Sequence, residues 1–271
     1  MPLKPQLFRI RGYSIKPATK QDIKESRPLF HLGTGPKSKT GILFLHGFSG
    51  TPACCFHYAQ TFIAEGYTVS APLLSGHGTT PENLRKISWQ DWINQTVASY
   101  DDLRKSCDNI FVIGMSLGGT LALHLASRRQ DIAKLLLIAP GIEAPLRAKL
   151  TRRLLSGPFS FLQNRNFYHL AGDVKRKEGF ELAYKSAPIK AMMTLLDCLE
   201  NVRPILPKIK TPTLIFQSRT DHRAVPKGAI ILYNLLASKQ KEIVWLENSY
   251  HVIPKDFQGE YVLNRIHEEI H

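Results

Sequence analysis

Short apolar runs alternate along the chain with longer amphipathic stretches, beginning near Ile42. The β-branched or leucine-rich runs that have the length of buried strands lie at 41–45, 67–71, 109–113, 134–139, 213–217 and 242–246. Between them, apolar residues recur at helical spacing, as in 53–65 and in 88–105, where Ser88 and Asp91 predict a capping box. This alternation predicts a doubly wound, mostly parallel α/β sheet, which would bind ligands at the carboxyl ends of its strands.

One interval breaks the alternation of strands and helices. The stretch between Ala139 and Thr213 is much longer than a single crossover helix requires, so we expect an insertion over about 141–205. Its 146–155 stretch is basic and amphipathic. An insertion on the carboxyl side of the sheet is placed to form a helical cap over a site there.

The N-terminal extension, residues 1–40, precedes the first predicted parallel strand. Within it, 8–13 and 28–32 have the pattern of antiparallel edge strands. The sequence assigns the extension no further role. We therefore predict a single domain over residues 1–271 that carries one cap.

Composition narrows the class of protein. Hydrophobic residues make up 43% of 271, which excludes a disordered chain, and the collagen G-X-Y period is absent. No apolar run approaches the roughly 20 residues of a membrane-spanning helix, and the N-terminal residues lack the apolar core of a secretory signal. The four cysteines form no CxxC motif, so we expect free thiols and a cytoplasmic protein.

The charge balance is strongly basic, with 36 Lys+Arg against 22 Asp+Glu and a net charge of +14. A net positive charge of this size can help a protein bind nucleic acid, an anionic membrane surface or an acidic substrate, although solubility is the simplest reason for it. The basic residues are dispersed, no nucleic-acid-binding motif is present, and aromatic residues are not interleaved with them. Nucleic acid is therefore not an expected partner, and the sequence leaves the oligomeric state undefined.

A candidate nucleophile follows the predicted strand 109–113. Ser116 stands in Gly114-Met115-Ser116-Leu117-Gly118, and a helical stretch comes directly after it. In a strand–turn–helix of this kind the residues two positions either side of the serine must be small, because the chain passes close to itself there. The turn lifts the serine hydroxyl above the sheet beside the amides of the helix N-terminus, as nucleophilic catalysis requires.

A serine nucleophile needs a base and an orienting carboxylate. His251 follows the last predicted strand after a short loop, whereas His222 and His46 also lie near strand ends. Asp221 closes the loop after the strand 213–217. The alternative acids, Asp197 and Asp256, have the sequence context of surface carboxylates. The order Ser116, Asp221, His251 is the one found in α/β-type serine hydrolases.

The oxyanion of an acyl-transfer reaction also needs amide donors. One is expected from the backbone N–H of Leu117, next after the serine. The other is expected from the loop 46–50, where glycines let the backbone turn towards Ser116. The backbone N–H of Phe48 is the expected donor in this loop.

Taken together, these motifs resemble those of the serine hydrolases of the α/β-hydrolase superfamily, most closely small bacterial carboxylesterases and monoacylglycerol lipases. In chain order they are Leu45-His46-Gly47-Phe48-Ser49-Gly50-Thr51-Pro52, Gly76-His77-Gly78, Gly114-Met115-Ser116-Leu117-Gly118-Gly119, Asp221 with Val225-Pro226, and Ser249-Tyr250-His251-Val252-Ile253. The resemblance runs from about Gly41 to the C-terminus. It implies Ser116 as nucleophile, Asp221 and His251 as its partners, Phe48 and Leu117 as oxyanion donors, a helical cap, no cofactor and no metal at the site.

The sequence departs from the lipases at one place. Many monoacylglycerol lipases carry Asp and Arg shortly before the Gly-His-Gly segment and Ser after it, whereas here 72–75 is Pro-Leu-Leu-Ser and Thr79 follows. This favours a serine carboxylesterase that cleaves short to medium acyl esters through an acyl-enzyme. His77 is interpreted as structural.

Two alternatives stay open. One is a monoacylglycerol lipase or lysophospholipase, acting on a monoacyl lipid, whose basic 146–155 stretch makes a weak contact with anionic membranes. The other is a non-catalytic binding protein on a hydrolase scaffold, since a fold alone does not determine function.

Overall fold

The computed structural model describes residues 5–143, 146–157, 159–168 and 171–271. The strands of this part of the chain are β1 (Phe8–Arg11), β2 (Ser14–Pro17), β3 (Leu29–His31), β4 (Thr40–Leu45), β5 (Thr68–Ala71), β6 (Asn109–Met115), β7 (Lys134–Ile138), β8 (Asn166–Tyr168), β9 (Glu181–Ala183), β10 (Ser186–Pro188), β11 (Thr213–Ser218) and β12 (Lys241–Leu246). The α-helices are α1 (Lys20–Glu25), α2 (Phe56–Ala64), α3 (Pro81–Leu84), α4 (Trp89–Arg104), α5 (Leu117–Ala126), α6 (Leu146–Leu155), α7 (Ile189–Val202), α8 (Pro226–Leu235) and α9 (Gly259–Ile270). No helix among the described residues is long and apolar enough to cross a membrane.

The central sheet has seven strands in the order β12-β11-β7-β6-β4-β5-β3. Every pairing in it is parallel except that of β3 with β5 at the edge. The predicted doubly wound, mostly parallel sheet is thereby confirmed, and each of the six predicted parallel strands lies within one or two residues of its expected bounds. The predicted capping box is also present, since Ser88 and Asp91 bond reciprocally at the start of α4.

Alternate residues of the strands face two separate cores. Leu43 and Leu45 of β4 pack with α4, α5 and α7, whereas Ile42 and Phe44 of the same strand pack with α2 and α9. Both faces of the sheet are therefore covered, which explains why its strands appear in the sequence as continuous apolar runs rather than as alternating ones.

The N-terminal segments have different partners. The segment 28–32 contributes β3 to the edge of the central sheet, whereas 8–13 contributes β1, which pairs with β2 and with β9 in a separate antiparallel sheet. Ile10 packs there on Ala171 and Ala183. Between β7 and β11 the inserted segment carries α6, β8, β9, β10 and α7. Because β1 pairs with β9, the N-terminal hairpin formed by β1 and β2 covers one edge of this segment.

Candidate active site

Ser116 lies between β6 and α5 with φ 53° and ψ −116°, a conformation that non-glycine residues rarely adopt. The turn is tight because two glycines border it. A Cβ at Gly118 would lie 2.0 Å from the carbonyl oxygen of Leu45, and a Cβ at Gly114 would lie 2.4 Å from the carbonyl oxygen of Gly118. The small residues predicted around Ser116 are therefore required, Gly118 by the contact of α5 with β4 and Gly114 by the contact of β6 with α5.

The structure brings Ser116, His251 and Asp221 together from three strand ends. His251 Nε2 is 2.9 Å from Ser116 Oγ, and His251 Nδ1 is 2.8 Å from Asp221 Oδ2. An ionised carboxylate can only accept, so Nδ1 carries the proton and donates it to Asp221. The lone pair of Nε2 in the neutral ring is then left to accept the hydroxyl proton of Ser116.

Asp221 is held as an anion by several donors. Its Oδ1 accepts from the backbone amides of Arg223 at 2.7 Å and Ala224 at 2.8 Å, and Gln217 Nε2 lies 3.2 Å from Oδ2. Burial alone would raise the pKa of Asp221, but His251 and these amides lower it below its usual value. The carboxylate is therefore charged at neutral pH although its side chain is fully buried.

The same pair sets the basicity of the imidazole. Burial alone would lower the pKa of His251, but the charge of Asp221 and its hydrogen bond raise the pKa above the ordinary 6.5. The carboxylates of Glu181 and Asp173 add to this effect. The site thus stabilises the imidazolium form that a general base becomes.

The other histidine and acid candidates bond elsewhere. His46 Nδ1 donates to the carbonyl of Gly47 at 2.9 Å and Nε2 accepts from the amide of Leu74 at 3.0 Å, while burial lowers the pKa of His46 to about 4. His222 is 59% exposed at its side chain and pairs with Asp173. His46 is therefore a neutral structural group.

Among the described residues, His251 bonds to Asp221 and to neither of the alternative acids. Asp197 is on α7 in an ion pair with Arg152. The expectation that Asp256 is a surface carboxylate is wrong, because it is only 3% exposed. It accepts from the backbone amides of residues 175, 176, 250 and 257 at 2.8–2.9 Å. These bonds tie the inserted segment to the loop that carries His251.

The two predicted amide donors lie beside the serine. A Cβ at Gly47 would be 3.4 Å from Ser116 Cβ, so the backbone just before Phe48 lies against the nucleophile. Among the described residues, the amides of Phe48 and Leu117 have no protein acceptor. Two unpaired N–H groups next to Ser116 form an arrangement that can bind an oxyanion.

Asp173, a residue of the inserted segment, was not found by sequence reasoning. Its Oδ2 accepts from the backbone amides of His222 and His251, both at 3.2 Å, and its Oδ1 is 2.8 Å from His222 Nδ1. One carboxylate therefore joins the loop of the acid to the loop of the base. Its sequence gives no signal for this role beyond its place in the insertion.

Glu181 of β9 is a second buried carboxylate near the site that the sequence did not indicate. Its Oε2 accepts from the amide of Gly172 at 2.7 Å, and a Cβ at Gly50 would lie 3.2 Å from Oε1. Burial raises the pKa of Glu181 above its usual value. The glycine at position 50 thus leaves room for this carboxyl beneath the loop 47–50.

Comparisons with known proteins identify relatives of this chain. The chain is 34% identical over 243 residues to a thermostable monoacylglycerol lipase of Bacillus sp. (strain H-257), covering 87% of this chain and 91% of the relative. It is 28% identical over 228 residues to a carboxylesterase of Bacillus subtilis (strain 168), covering 84% and 90%. A solved structure from work on LipS and LipT, two metagenome-derived lipolytic enzymes, matches with a TM-score of 0.82 at 33% identity, covering 91% of this chain and 97% of that one.

A family model also matches most of the chain, over residues 36–258. Its description is "Serine aminopeptidase, S33". The chain therefore belongs to this family, Hydrolase_4, and is a serine hydrolase of the α/β-hydrolase fold.

Proposed function

We propose that the protein is a serine carboxylesterase that hydrolyses short to medium acyl esters through an acyl-enzyme intermediate. The observation that carries the proposal is the continuous relay from Ser116 Oγ to His251 at 2.9 Å and on to Asp221 at 2.8 Å. It lies beside the unpaired amides of Phe48 and Leu117.

The first half of the reaction forms the acyl-enzyme. Ser116 Oγ attacks the ester carbonyl carbon while its proton passes to His251 Nε2, and the negative oxygen of the tetrahedral intermediate accepts from the amides of Phe48 and Leu117. His251 then gives the proton to the departing alcohol oxygen. Asp221 stabilises the imidazolium in between, without taking the proton.

The second half repeats these steps with water. His251 removes a proton from the water molecule that attacks the acyl carbon, and the collapse of the second tetrahedral intermediate releases the carboxylic acid. The proton on His251 returns to Ser116 Oγ. The negative charges of Asp173 and Glu181 favour the imidazolium in both halves.

The bond cleaved is proposed to be an ester rather than a peptide. The family description names an aminopeptidase, but two relatives that match over 84% and 87% of this chain are named as a carboxylesterase and a monoacylglycerol lipase. An aminopeptidase needs an acidic group to bind the free α-amine of its substrate. The two carboxylates described near the site already have partners: Asp173 accepts from two backbone amides and pairs with His222, and Glu181 accepts from the amide of Gly172. Neither carboxylate is therefore available for an α-amine.

Rates on matched substrates test this choice. We expect p-nitrophenyl esters of two to eight carbons to be hydrolysed and aminoacyl p-nitroanilides to be left intact. Ser116→Ala should abolish ester hydrolysis, whereas Ser14→Ala, a change at an exposed serine of β2, should leave the rate unchanged. Most activity remaining in Ser116→Ala, or faster cleavage of the anilides, would overturn the proposal.

A monoacyl lipid is the second candidate substrate, and an exposed surface on the inserted segment favours it. We call it the apolar cap surface: Leu150, Leu154, Phe159 and Phe161, with 56%, 55%, 46% and 69% of their areas exposed. Arg153 beside them is also exposed. Apolar side chains flanked by cations are typical of surfaces that bind anionic membranes.

The contacts of α6 with α7 leave the apolar cap surface facing solvent. Arg152 forms ion pairs with Asp197 and Glu200 of α7, so one face of α6 is fixed against α7. Leu150 and Leu154 are left exposed to solvent at a spacing of one helical turn. We propose that the segment 141–205 acts as a cap and that this surface receives lipid from an interface.

Hydrolysis assays with lipid vesicles distinguish the two candidate substrates. Phosphatidylglycerol vesicles that carry a monoacylglycerol should be hydrolysed faster at low salt than neutral vesicles, and a Leu154→Ser/Phe161→Ser double variant should lose this advantage. Its rate on soluble p-nitrophenyl acetate should stay unchanged. Ile230→Ser, at a 47% exposed residue of α8, is the matched control. Equal rates on both kinds of vesicle would contradict a membrane contact.

A further inference from the structure

Three side chains of the types that bind transition metals meet where α9 packs beside the end of α2. Glu65 is the C-cap residue of α2, His267 lies in the last turn of α9, and His271 follows one turn later. In the described ranges, these are the histidine, cysteine and carboxylate groups whose ligand atoms converge within 4.8 Å of one another.

The distances are those of ligands around one small ion. His267 Nε2 is 2.8 Å and 2.9 Å from the two oxygens of Glu65, His271 Nε2 is 3.3 Å from Oε2, and the two Nε2 atoms are 2.9 Å apart. Tetrahedral Zn²⁺ with bonds of about 2.0–2.1 Å needs ligand atoms roughly 3.3 Å apart. Histidines at i and i+4 on one helix face supply such a pair.

The two facing Nε2 atoms lie 2.9 Å apart, so only one of them can carry a proton. In the absence of an ion, His267 Nε2 can donate to Glu65, and His271 Nε2 can accept from Lys37 Nζ, which is 3.2 Å away. A single cation that accepts a lone pair from each nitrogen and from the carboxylate would satisfy the same three groups in place of Lys37.

Surrounding groups hold the rings in place. The ring of Phe62 stacks on His267 with centroids 5.9 Å apart. Tyr67 Oη is 3.4 Å from His271 Nδ1 and 3.3 Å from Nε2, and the two rings meet edge to face with centroids 5.9 Å apart. These contacts limit the motion of the two histidine rings.

One side chain competes for the same place. Lys37 Nζ lies 3.1 Å from Glu65 Oε2 and 3.2 Å from His271 Nε2. Burial alone would lower the pKa of Lys37, but its bond to Glu65 and the nearby Tyr67 raise it, so the amine stays protonated and cannot itself be a ligand. Its side chain is 37% exposed and can swing into solvent when an ion enters.

We propose that Glu65, His267 and His271 form a binding site for Zn²⁺ that joins the C-terminal helix to the α2–β5 turn. Glu65 and Tyr67 immediately precede β5, so the cluster lies at the amino edge of the sheet, opposite the carboxyl edge where Ser116 stands. The ion therefore acts on stability and not on the ester chemistry, and the site is independent of the proposed function.

Calorimetric titration of the untagged, chelator-treated chain with ZnCl₂ near pH 7.5 tests the site. We expect one ion per chain, and a thermal midpoint raised by roughly 5–10 °C when free zinc is 100 times the dissociation constant. Replacing Zn²⁺ by Co²⁺ should give the visible absorption of a tetrahedral site. Because protons compete with the ion for the imidazole nitrogens, acidification should weaken zinc binding.

Variants distinguish this site from adventitious binding. His267→Gln and His271→Gln should each weaken zinc binding at least tenfold, whereas Lys37→Met should strengthen it because the competing ammonium is gone. His57→Gln, at an exposed histidine of α2 that pairs with Glu260, is the matched control and should bind as the wild type does. Binding that survives in His267→Gln/His271→Gln, or wild-type protein that binds no zinc, would overturn the proposal.

Discussion

Gly118→Ala places one methyl group where α5 meets β4. The new Cβ would lie 2.0 Å from the carbonyl oxygen of Leu45, 2.5 Å from its carbonyl carbon and 2.9 Å from the carbonyl oxygen of His46. Real contacts of this kind are about 1 Å longer than the shortest of these, so the start of α5 must move by about that distance. The neighbours are backbone atoms, which cannot turn aside as a side chain would.

Two losses follow from that displacement. Overpacking of this kind costs about 1–3 kcal/mol of unfolding free energy. The same shift moves Ser116 and the amide of Leu117 relative to His251, and a misplacement of about 1 Å can lower kcat roughly 100-fold. Urea unfolding and hydrolysis of p-nitrophenyl butyrate measure the two losses separately.

Gly228→Ala is the matched control, because the nearest atom to its Cβ would be Ile142 Cβ at 3.8 Å. Gly228 lies within α8, so alanine there should add up to about 1 kcal/mol through helix propensity and leave kcat unchanged. Wild-type stability and turnover in Gly118→Ala would contradict the close approach of α5 to β4 at this glycine.

Further predictions concern the groups around the base. With a neutral ester, kcat/KM should rise with pH as His251 loses its proton, with a midpoint above 6.5 because Asp221 favours the charged ring; a midpoint at or below 6.5 contradicts this. Asp173→Asn should lower that midpoint and reduce kcat about tenfold with little change in KM, and an unchanged pH profile would leave Asp173 without a positioning role. Tyr184→Phe removes a hydroxyl that bonds within the loop 75–79, so it should cost about 1–3 kcal/mol in urea unfolding, and no loss would contradict its place there.

The central sheet was predictable because each parallel strand is buried on both faces and so leaves a continuous apolar run in the sequence. The turn around Ser116 was predictable for a related reason, since its glycines stand where any side chain would strike the backbone. In both cases the physical constraint acts on residues adjacent in the chain, so it is visible in the local sequence pattern.

The carboxylates that support the site could not be found in this way. Asp173 bonds the amide of a residue 78 positions away, and Asp256 bonds amides 80 and 81 positions away. Their partners are backbone groups, which every residue type has, so no sequence pattern marks them. A short acidic side chain near Gly or Lys is equally typical of a solvated loop, which is why the sequence context of Asp256 indicates a surface carboxylate although the side chain is buried.

The pairing of the N-terminal hairpin with the inserted segment could not be predicted from the sequence for another reason. β9 has three residues, too few to show periodicity, and its partner β1 lies some 170 residues earlier in the chain. Glu65 and His267 are 202 positions apart, and only the packing of α9 beside α2 brings them together. Long-range contacts of this kind depend on topology rather than on local pattern.

Trapping of the acyl-enzyme identifies the nucleophile. The protein is mixed with p-nitrophenyl butyrate and quenched in acid within the first turnover. It is then digested, and the masses of its peptides are measured by mass spectrometry. We expect a butyryl group on Ser116, and Ser116→Ala should show neither this adduct nor more than about a thousandth of the wild-type kcat. A butyryl group on another residue, or full turnover by Ser116→Ala, would contradict it.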